Sequence, residues 1–184
     1  MDYNEEFWKK YADENESRYN EEFAKFTKDL AMSLRCTNVL EIGCGTGIDL
    51  RLFPDTFQIH GVDLNEYALD IAKEKFPVAD FKKGSITDLP FEDSSVDFVF
   101  THGLLNYLDE DTLQKGIAEM HRVSGKYIMN CETFNSVEEK IDENQTSRNM
   151  VKRWMDYKVR IVSDVDMHED IEPEKKRFVL LRKL

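Results

Sequence analysis

The run Val39-Leu40-Glu41-Ile42-Gly43-Cys44-Gly45-Thr46-Gly47 decides the fold class. Asn38 to Ile42 reads as a short apolar strand that leads directly into three glycines at alternate positions. Ile48 to Phe53 then reads as a brief helix stopped by Pro54. Glycines at this spacing let the backbone turn tightly and approach a ligand without Cβ interference. The amides of the helix start beyond them can face a carboxylate.

The same alternation continues outward from this unit. Gln58 to Val62 is a second strand, and Glu66 to Phe76 a helix that buries Tyr67, Leu69, Ile71 and Ala72 and ends at Pro77. Ala79 to Lys82 and Val96 to Thr101 read as the third and fourth strands, the latter an almost continuous apolar run. Asp111 to Val123 is a helix that Gly125 ends, and Lys126 to Asn130 a fifth strand. Ser136 with Glu139 fits a capping box, so a helix is expected from Val137, loosening over Glu143 to Ser147 and resuming toward Trp154. Lys158 to Val165 and Arg177 to Leu181 have no helix between them and should pair antiparallel at a sheet edge, with the acidic stretch Asp164 to Glu174 as a solvated hairpin loop. Upstream, Asn4 to Tyr11 and Ser17 to Leu34 read as two cap helices. Strands alternating with helices imply an α/β, mostly parallel sheet whose ligand sits beyond the strand C-termini, where the strand order switches. We read one domain over 1–184, with a helical cap at 1–35 and the α/β core at 36–184.

Composition narrows the function classes. With 184 residues, 41% of them apolar, the chain can bury one core. Its formal net charge of −12 repels a polyphosphate backbone, which disfavours nucleic acid as partner and favours a small molecule. There is one basic island: Arg148, Lys152, Arg153, Lys158 and Arg160 stand against the single acid Asp156. The sequence lacks the roughly 18 consecutive apolar residues of a spanning helix, and Met1 to Lys10 is acidic and aromatic, unlike a secretory signal. A cytoplasmic protein, monomeric or homodimeric and away from membranes, is expected. Cys36, Cys44 and Cys131 lack the spacing of a zinc site or a disulfide framework and read as neutral thiols.

The glycine loop excludes two ligand classes. A dinucleotide fingerprint needs glycine at position 48, which is isoleucine, and no Gly-Lys-Ser/Thr follows to make a phosphate loop. Asp63 follows the second strand about twenty residues after the glycines, where a carboxylate either accepts from both ribose hydroxyls or caps the helix at Asn65.

This Glu-x-Gly-x-Gly-x-Gly loop between strand and helix resembles the first motif of the class I S-adenosylmethionine-dependent methyltransferases. The resemblance implies their Rossmann-like fold, a mostly parallel seven-stranded sheet with an antiparallel C-terminal hairpin, and S-adenosyl-L-methionine as cofactor. It implies cofactor contacts at Glu41, Gly43, Cys44, Gly45, Gly47, Asp63, Leu64, Thr101 and His102, with Glu41 near the cationic methionine end. Gly84 to Phe91 resembles the adenine segment, with Ser85 and Ile86 at the base edge, although many relatives carry an acid where Ser85 stands. Phe7-Trp8 with Arg18, Phe100-Thr101 with Gly103-Leu104-Leu105, Lys152-Arg153, and His168 with Asp170 ahead of Phe178-Val179-Leu180-Leu181 resemble the pseudaminic acid biosynthesis-associated methylases. The polar stretch Asp142 to Asn149, and Arg177 in place of a tryptophan, depart from that pattern.

A sulfonium donor is already electrophilic, so displacement needs alignment, exclusion of water, and proton removal when the acceptor is a hydroxyl. No metal is required. His102 ends the fourth strand at the ligand edge and is either a general base or a loop histidine. Tyr107, Glu132 and His168 are further candidates by location; many relatives have histidines where Asn106 and Tyr107 stand. Arg148, Lys152 and Arg153 either hold a carboxylate or phosphate of an acidic sugar or form a solvated helix face. Phe7, Trp8, Tyr11 and Tyr19 either cover the cofactor or pack. The expected activity is methyl transfer to a hydroxyl of a sugar or nucleotide sugar of the nonulosonic acid type. The alternatives are another small metabolite, a protein side chain, or a cofactor-binding protein without turnover.

Overall fold

The computed structural model describes residues 5–184. The strands are β1 (Asn38–Ile42), β2 (Gln58–Asp63), β3 (Asp80–Lys83), β4 (Val96–His102), β5 (Ser124–Glu132), β6 (Val159–Asp166) and β7 (Arg177–Lys183). All seven join one sheet in the order β3-β2-β1-β4-β5-β7-β6. β1 to β5 pair parallel, and β7 runs antiparallel to both β5 and β6. The strand order reverses between β1 and β4, and the C-terminal ends of these two strands bound the crevice described below.

The helices are α1 (Glu5–Asp13), α2 (Glu21–Ser33), α3 (Glu66–Lys75), α4 (Glu110–Val123) and α5 (Met150–Trp154). Alternation along the strands splits the core in two. Val39, Phe98 and Phe100 face Phe23 and Ala31 of α2 and Leu69 and Ala72 of α3. Leu40, Ile42 and Val99 face Leu113, Ile117 and Met120 of α4 and Trp154 of α5. This is the expected Rossmann-like α/β fold with its antiparallel C-terminal hairpin.

Asn4, where the first helix was expected to start, lies outside the described residues. The structure changes four local expectations. Tyr67, expected on the buried side of its helix, is 41% exposed and donates to Asp13 Oδ1 at 2.6 Å. The span expected as one helix from Ser17 is a 3-10 turn at Asn15–Arg18 and then α2, because the Asn20 side chain accepts from the Phe23 amide and starts a new helix there. No helix forms at Val137. Glu139, the capping-box acid, accepts from Asn135 Nδ2 at 2.6 Å, and Ser147 Oγ bonds both the amide and the carbonyl of Glu139. Those contacts hold the segment in an irregular loop until Asn149 caps α5. α4 passes directly into β5 at Ser124, so Gly125 is a strand residue; a Cβ there would stand 2.7 Å from the Ser94 carbonyl oxygen.

A buried polar relay joins sheet and α5. Trp154 Nε1 donates to Asn130 Oδ1 at 2.7 Å, and Asn130 Nδ2 donates to Thr101 Oγ1 at 2.9 Å. Asn130→Leu keeps the volume but strands the indole N–H and should cost about 2 to 3 kcal/mol. A lower urea midpoint at unchanged slope checks this.

Candidate functional site

The site begins with the backbone of the glycine turn. Gly43, Gly45 and Gly47 have φ of +76°, +52° and +73°, a region L side chains rarely adopt. A Cβ at Gly43 would also meet Leu104 at 2.9 Å, and one at Gly47 would meet Phe81 at 2.8 Å. The turn is pinned from β2: Asp63 Oδ2 accepts from Gly45 N at 2.8 Å and Oδ1 from Asn65 N at 2.8 Å. Asp63 thus anchors the turn, while Asn65 caps the helix that follows, and Asp63 still lines the crevice with its remaining lone pairs. Burial raises its pKa, against the pull of its backbone hydrogen bonds.

Two lobes share Trp8, Tyr11, Gly43, Asp63 and His102, so they form one crevice. The smaller, about 300 Å³, runs past Leu64, Ser85, Ile86, Leu104 and Tyr107. Ser85 Oγ is engaged with Thr87 Oγ1 at 2.8 Å, which shapes the segment resembling an adenine edge. The larger lobe, about 600 Å³, carries Glu41, Cys44, Gly45, Asp49, Glu172 and Lys176. Both volumes suit a small ligand. Glu41 is 3% exposed, and its Oε2 is buried without a partner. Burial, then the neighbouring charges of Asp49 and Asp63, push its pKa well above the usual carboxylate range. A ligand cation placed there would relieve that convergence.

The N-terminal residues cover the crevice. Asn65 Nδ2 donates to Trp8 O at 3.0 Å, and Asn15 Nδ2 donates to Thr46 Oγ1 at 3.0 Å. Trp8 packs edge-on against Tyr107, whose hydroxyl is bonded by Gln145. Trp8 and Tyr11 thus line both lobes as well as packing.

His102 lies at the junction of the lobes. Its Nδ1 is 2.7 Å from Asp49 Oδ2 and its Nε2 is 2.7 Å from Glu172 Oε2, while its ring stacks on Phe23 with centroids 3.8 Å apart. Burial works against its charged form, but the carboxylates prevail and raise its pKa. Glu172 belongs to the stretch expected to be a solvated loop; it is 3% exposed, and Lys176 is 8% exposed. That expectation is corrected for Glu172, because its charge is satisfied inside, against His102 and Lys176. Among the described residues, His102, Cys131 and Glu172 bring three ligand atoms within 4.8 Å of one another. The Lys176 ammonium, 3.1 Å from His102 Nε2 and 3.6 Å from Glu172 Oε1, already supplies a cation there.

Other candidates lie elsewhere. Thr101 is fully buried within the sheet, so it forms no part of the crevice lining. Glu132 is 1% exposed and accepts from the amides of Leu105 at 3.1 Å and Leu104 at 3.4 Å, holding the turn after β4 from beneath. The His168 side chain is 67% exposed beside Asp170. Arg148 is buried and donates to Leu108 O, and Arg153 bonds Glu138 and Glu110. Lys152 and Arg153 line a separate cavity with Glu110, Glu138 and Tyr157, and it shares no residue with the crevice. Asn15, Phe23, Asp49, Glu172 and Lys176 were not singled out from the sequence. Asp49, two residues past the last glycine, had a positional signal; nothing marked which acid of the late loop turns inward.

With this geometry in place, the likenesses fall into a pattern. Residues 39–126 match the family described as "Methyltransferase domain". The ubiquinone/menaquinone biosynthesis C-methyltransferase UbiE of Campylobacter jejuni is 31% identical over 97 residues, 48% of this chain and 40% of that protein. The chain thus spans about two fifths of that relative. A SAM-dependent methyltransferase from Aquifex aeolicus superposes with a TM-score of 0.72 at 18% identity, covering 99% of this chain and 100% of that one. Magnesium protoporphyrin IX methyltransferase from Synechocystis, with bound SAH, superposes with a TM-score of 0.69 at 11% identity over 88% of this chain and 82% of that one. These two likenesses show the fold. No helix among the described residues is long and apolar enough to cross a membrane.

The half-buried ion group around Glu138 gives a test by pH. Burial opposes its charge, but Arg153, the Asn149 amide and Arg148 hold its pKa down at about 2. A depressed folded pKa means stability that is complete above the ordinary value of 4.5 and lost as the pH falls toward about 2. Glu138→Gln should remove about 2 kcal/mol at neutral pH and flatten the acid limb of the stability curve. Urea melts at stepped pH check both.

Proposed function

We propose, from the premise that residues 39–126 are a methyltransferase domain whose cofactor is S-adenosylmethionine, that the chain transfers that methyl group to a small polar acceptor within the crevice under α1. The observation that carries this reading is Glu41: a buried carboxylate oxygen without a partner, beside the pinned glycine turn, suits the cationic end of that cofactor. Gly43 and Gly45 would hold the methionine portion, Asp63 the ribose, and Leu64, Ser85 and Ile86 the base. When bound, the cofactor supplies an electrophilic sulfonium methyl.

The chain's own contribution is binding, orientation and exclusion of water. The carboxylates of Glu41 and Asp63 offset cationic charge, and the Trp8 and Tyr11 rings cover the junction of the lobes. Of the four candidates for proton removal, His102 and Tyr107 line the crevice, and burial raises the Tyr107 pKa. A sugar hydroxyl of the nonulosonic acid type is the acceptor favoured by the sequence resemblance. That choice rests on Phe7-Trp8 with Arg18, on Phe100-Thr101 with Gly103-Leu104-Leu105, and on His168 with Asp170 ahead of Phe178 to Leu181; Lys152 and Arg153, outside the crevice, lend it no support. Another small metabolite, or a protein side chain, uses the same cofactor site.

Calorimetry with S-adenosylmethionine should show binding that Asp63→Ala weakens by about 1 to 3 kcal/mol. Incubation with nucleotide sugars and small-molecule extract should then yield a product heavier by one methylene in mass spectrometry. Tight binding without such a product from any acceptor pool would instead assign a non-catalytic binding role.

A further inference from the structure

The His102 cluster has a geometry that a free base lacks. A neutral imidazole carries one N–H, so it satisfies one carboxylate and turns a lone pair toward the other. Here carboxylate oxygens lie 2.7 Å from both ring nitrogens, Asp49 on Nδ1 and Glu172 on Nε2, and short contacts on both sides need two donors. The Phe23 ring, stacked on the imidazole at 3.8 Å, favours a cation as well. The Lys176 ammonium lies 3.1 Å from Nε2, 2.9 Å from Glu174 and 3.6 Å from Glu172 Oε1, and its charge opposes a second ring proton; the two carboxylates at 2.7 Å outweigh it. The other ionisable groups against the ring are the neutral Cys131 thiol and the Glu132 carboxyl.

These partners come from separate parts of the chain. Asp49 belongs to the segment after the glycine turn, His102 to the end of β4, and Glu172 to the connection between β6 and β7. We propose that His102 is a positioning residue: a doubly hydrogen-bonded imidazolium that clamps the β6–β7 connection to the cofactor turn and fixes the wall of the larger lobe. It leaves the acceptor's proton to another group. Pro173 and Glu174 line that lobe beside Glu172, so the clamp sets the shape an acceptor meets. The functional half of the inference rests on the methyltransferase reading; the clamp itself does not.

The pH dependence has a definite sign. The folded pKa of His102 is raised, so the clamp is complete below the ordinary imidazole value near 6.5 and opens as the pH rises through the higher folded value. In this it differs from a base, which gains activity on losing that proton.

The experiment is nitrogen-detected NMR of the ring nitrogens of the four histidines in the protein alone, with His102 assigned by elimination using H60Q, H121Q and H168Q. His102 should carry protons on both nitrogens at pH 7 and titrate above 6.5, and Glu172→Gln should lower that midpoint. Hydrogen exchange of residues 167–176, corrected for intrinsic rates, should speed up about tenfold in Glu172→Gln or above the midpoint. A neutral His102 at pH 7, or loop protection indifferent to both changes, overturns the clamp. Neither readout uses a ligand, so failure to bind S-adenosylmethionine would overturn the cofactor reading and leave this result standing.

Discussion

The arrangement depends on one constraint: the chain leaves β1 through glycines in the left-handed region and is tied there by a carboxylate from the next strand. Asp63 accepts the Gly45 amide at 2.8 Å, so the end of β2 sets the turn at the end of β1. Side chains at Gly43 or Gly47 would both strain the backbone and strike Leu104 or Phe81. The parallel pairing of β1 with β2 and β4 then puts Asp63, Glu41 and His102 around one hollow.

The chemistry that follows is concentrated negative charge. Glu41, Asp49, Asp63 and Glu172 all line the larger lobe, in a chain already at −12. Buried carboxylates are costly unless neutralised or paired. The protein meets that cost unevenly: Glu172 has His102 and Lys176, and Asp63 has backbone amides, whereas Glu41 Oε2 has none. That residual demand for a cation, rather than the fold alone, gives the crevice its chemical direction.

The fold was legible because its signals are local. Strand alternation, the prolines after the helices and the glycine spacing each act within a few residues, and all seven strands emerged at the expected places. The capping box at Ser136 failed because its acid found a nearer partner in Asn135, a choice made by loop packing. At the site, Asp63 and the glycines were readable, since motif spacing follows from turn geometry. Glu172 was hidden among the other acids of the late loop, from which only tertiary contact with His102 and Lys176 distinguishes it. The basic island misled for a related reason: positive sequence charge did not reveal that Glu110 and Glu138 already neutralise Arg148 and Arg153.

The most direct test of the central claim is a crystal structure grown with S-adenosylhomocysteine. The account requires continuous ligand density through both lobes, its amino group against Glu41, its ribose at Asp63 and its base beside Ser85 and Ile86. Density at another surface, or a ligand that leaves the Glu41 carboxylate without a partner, would contradict it.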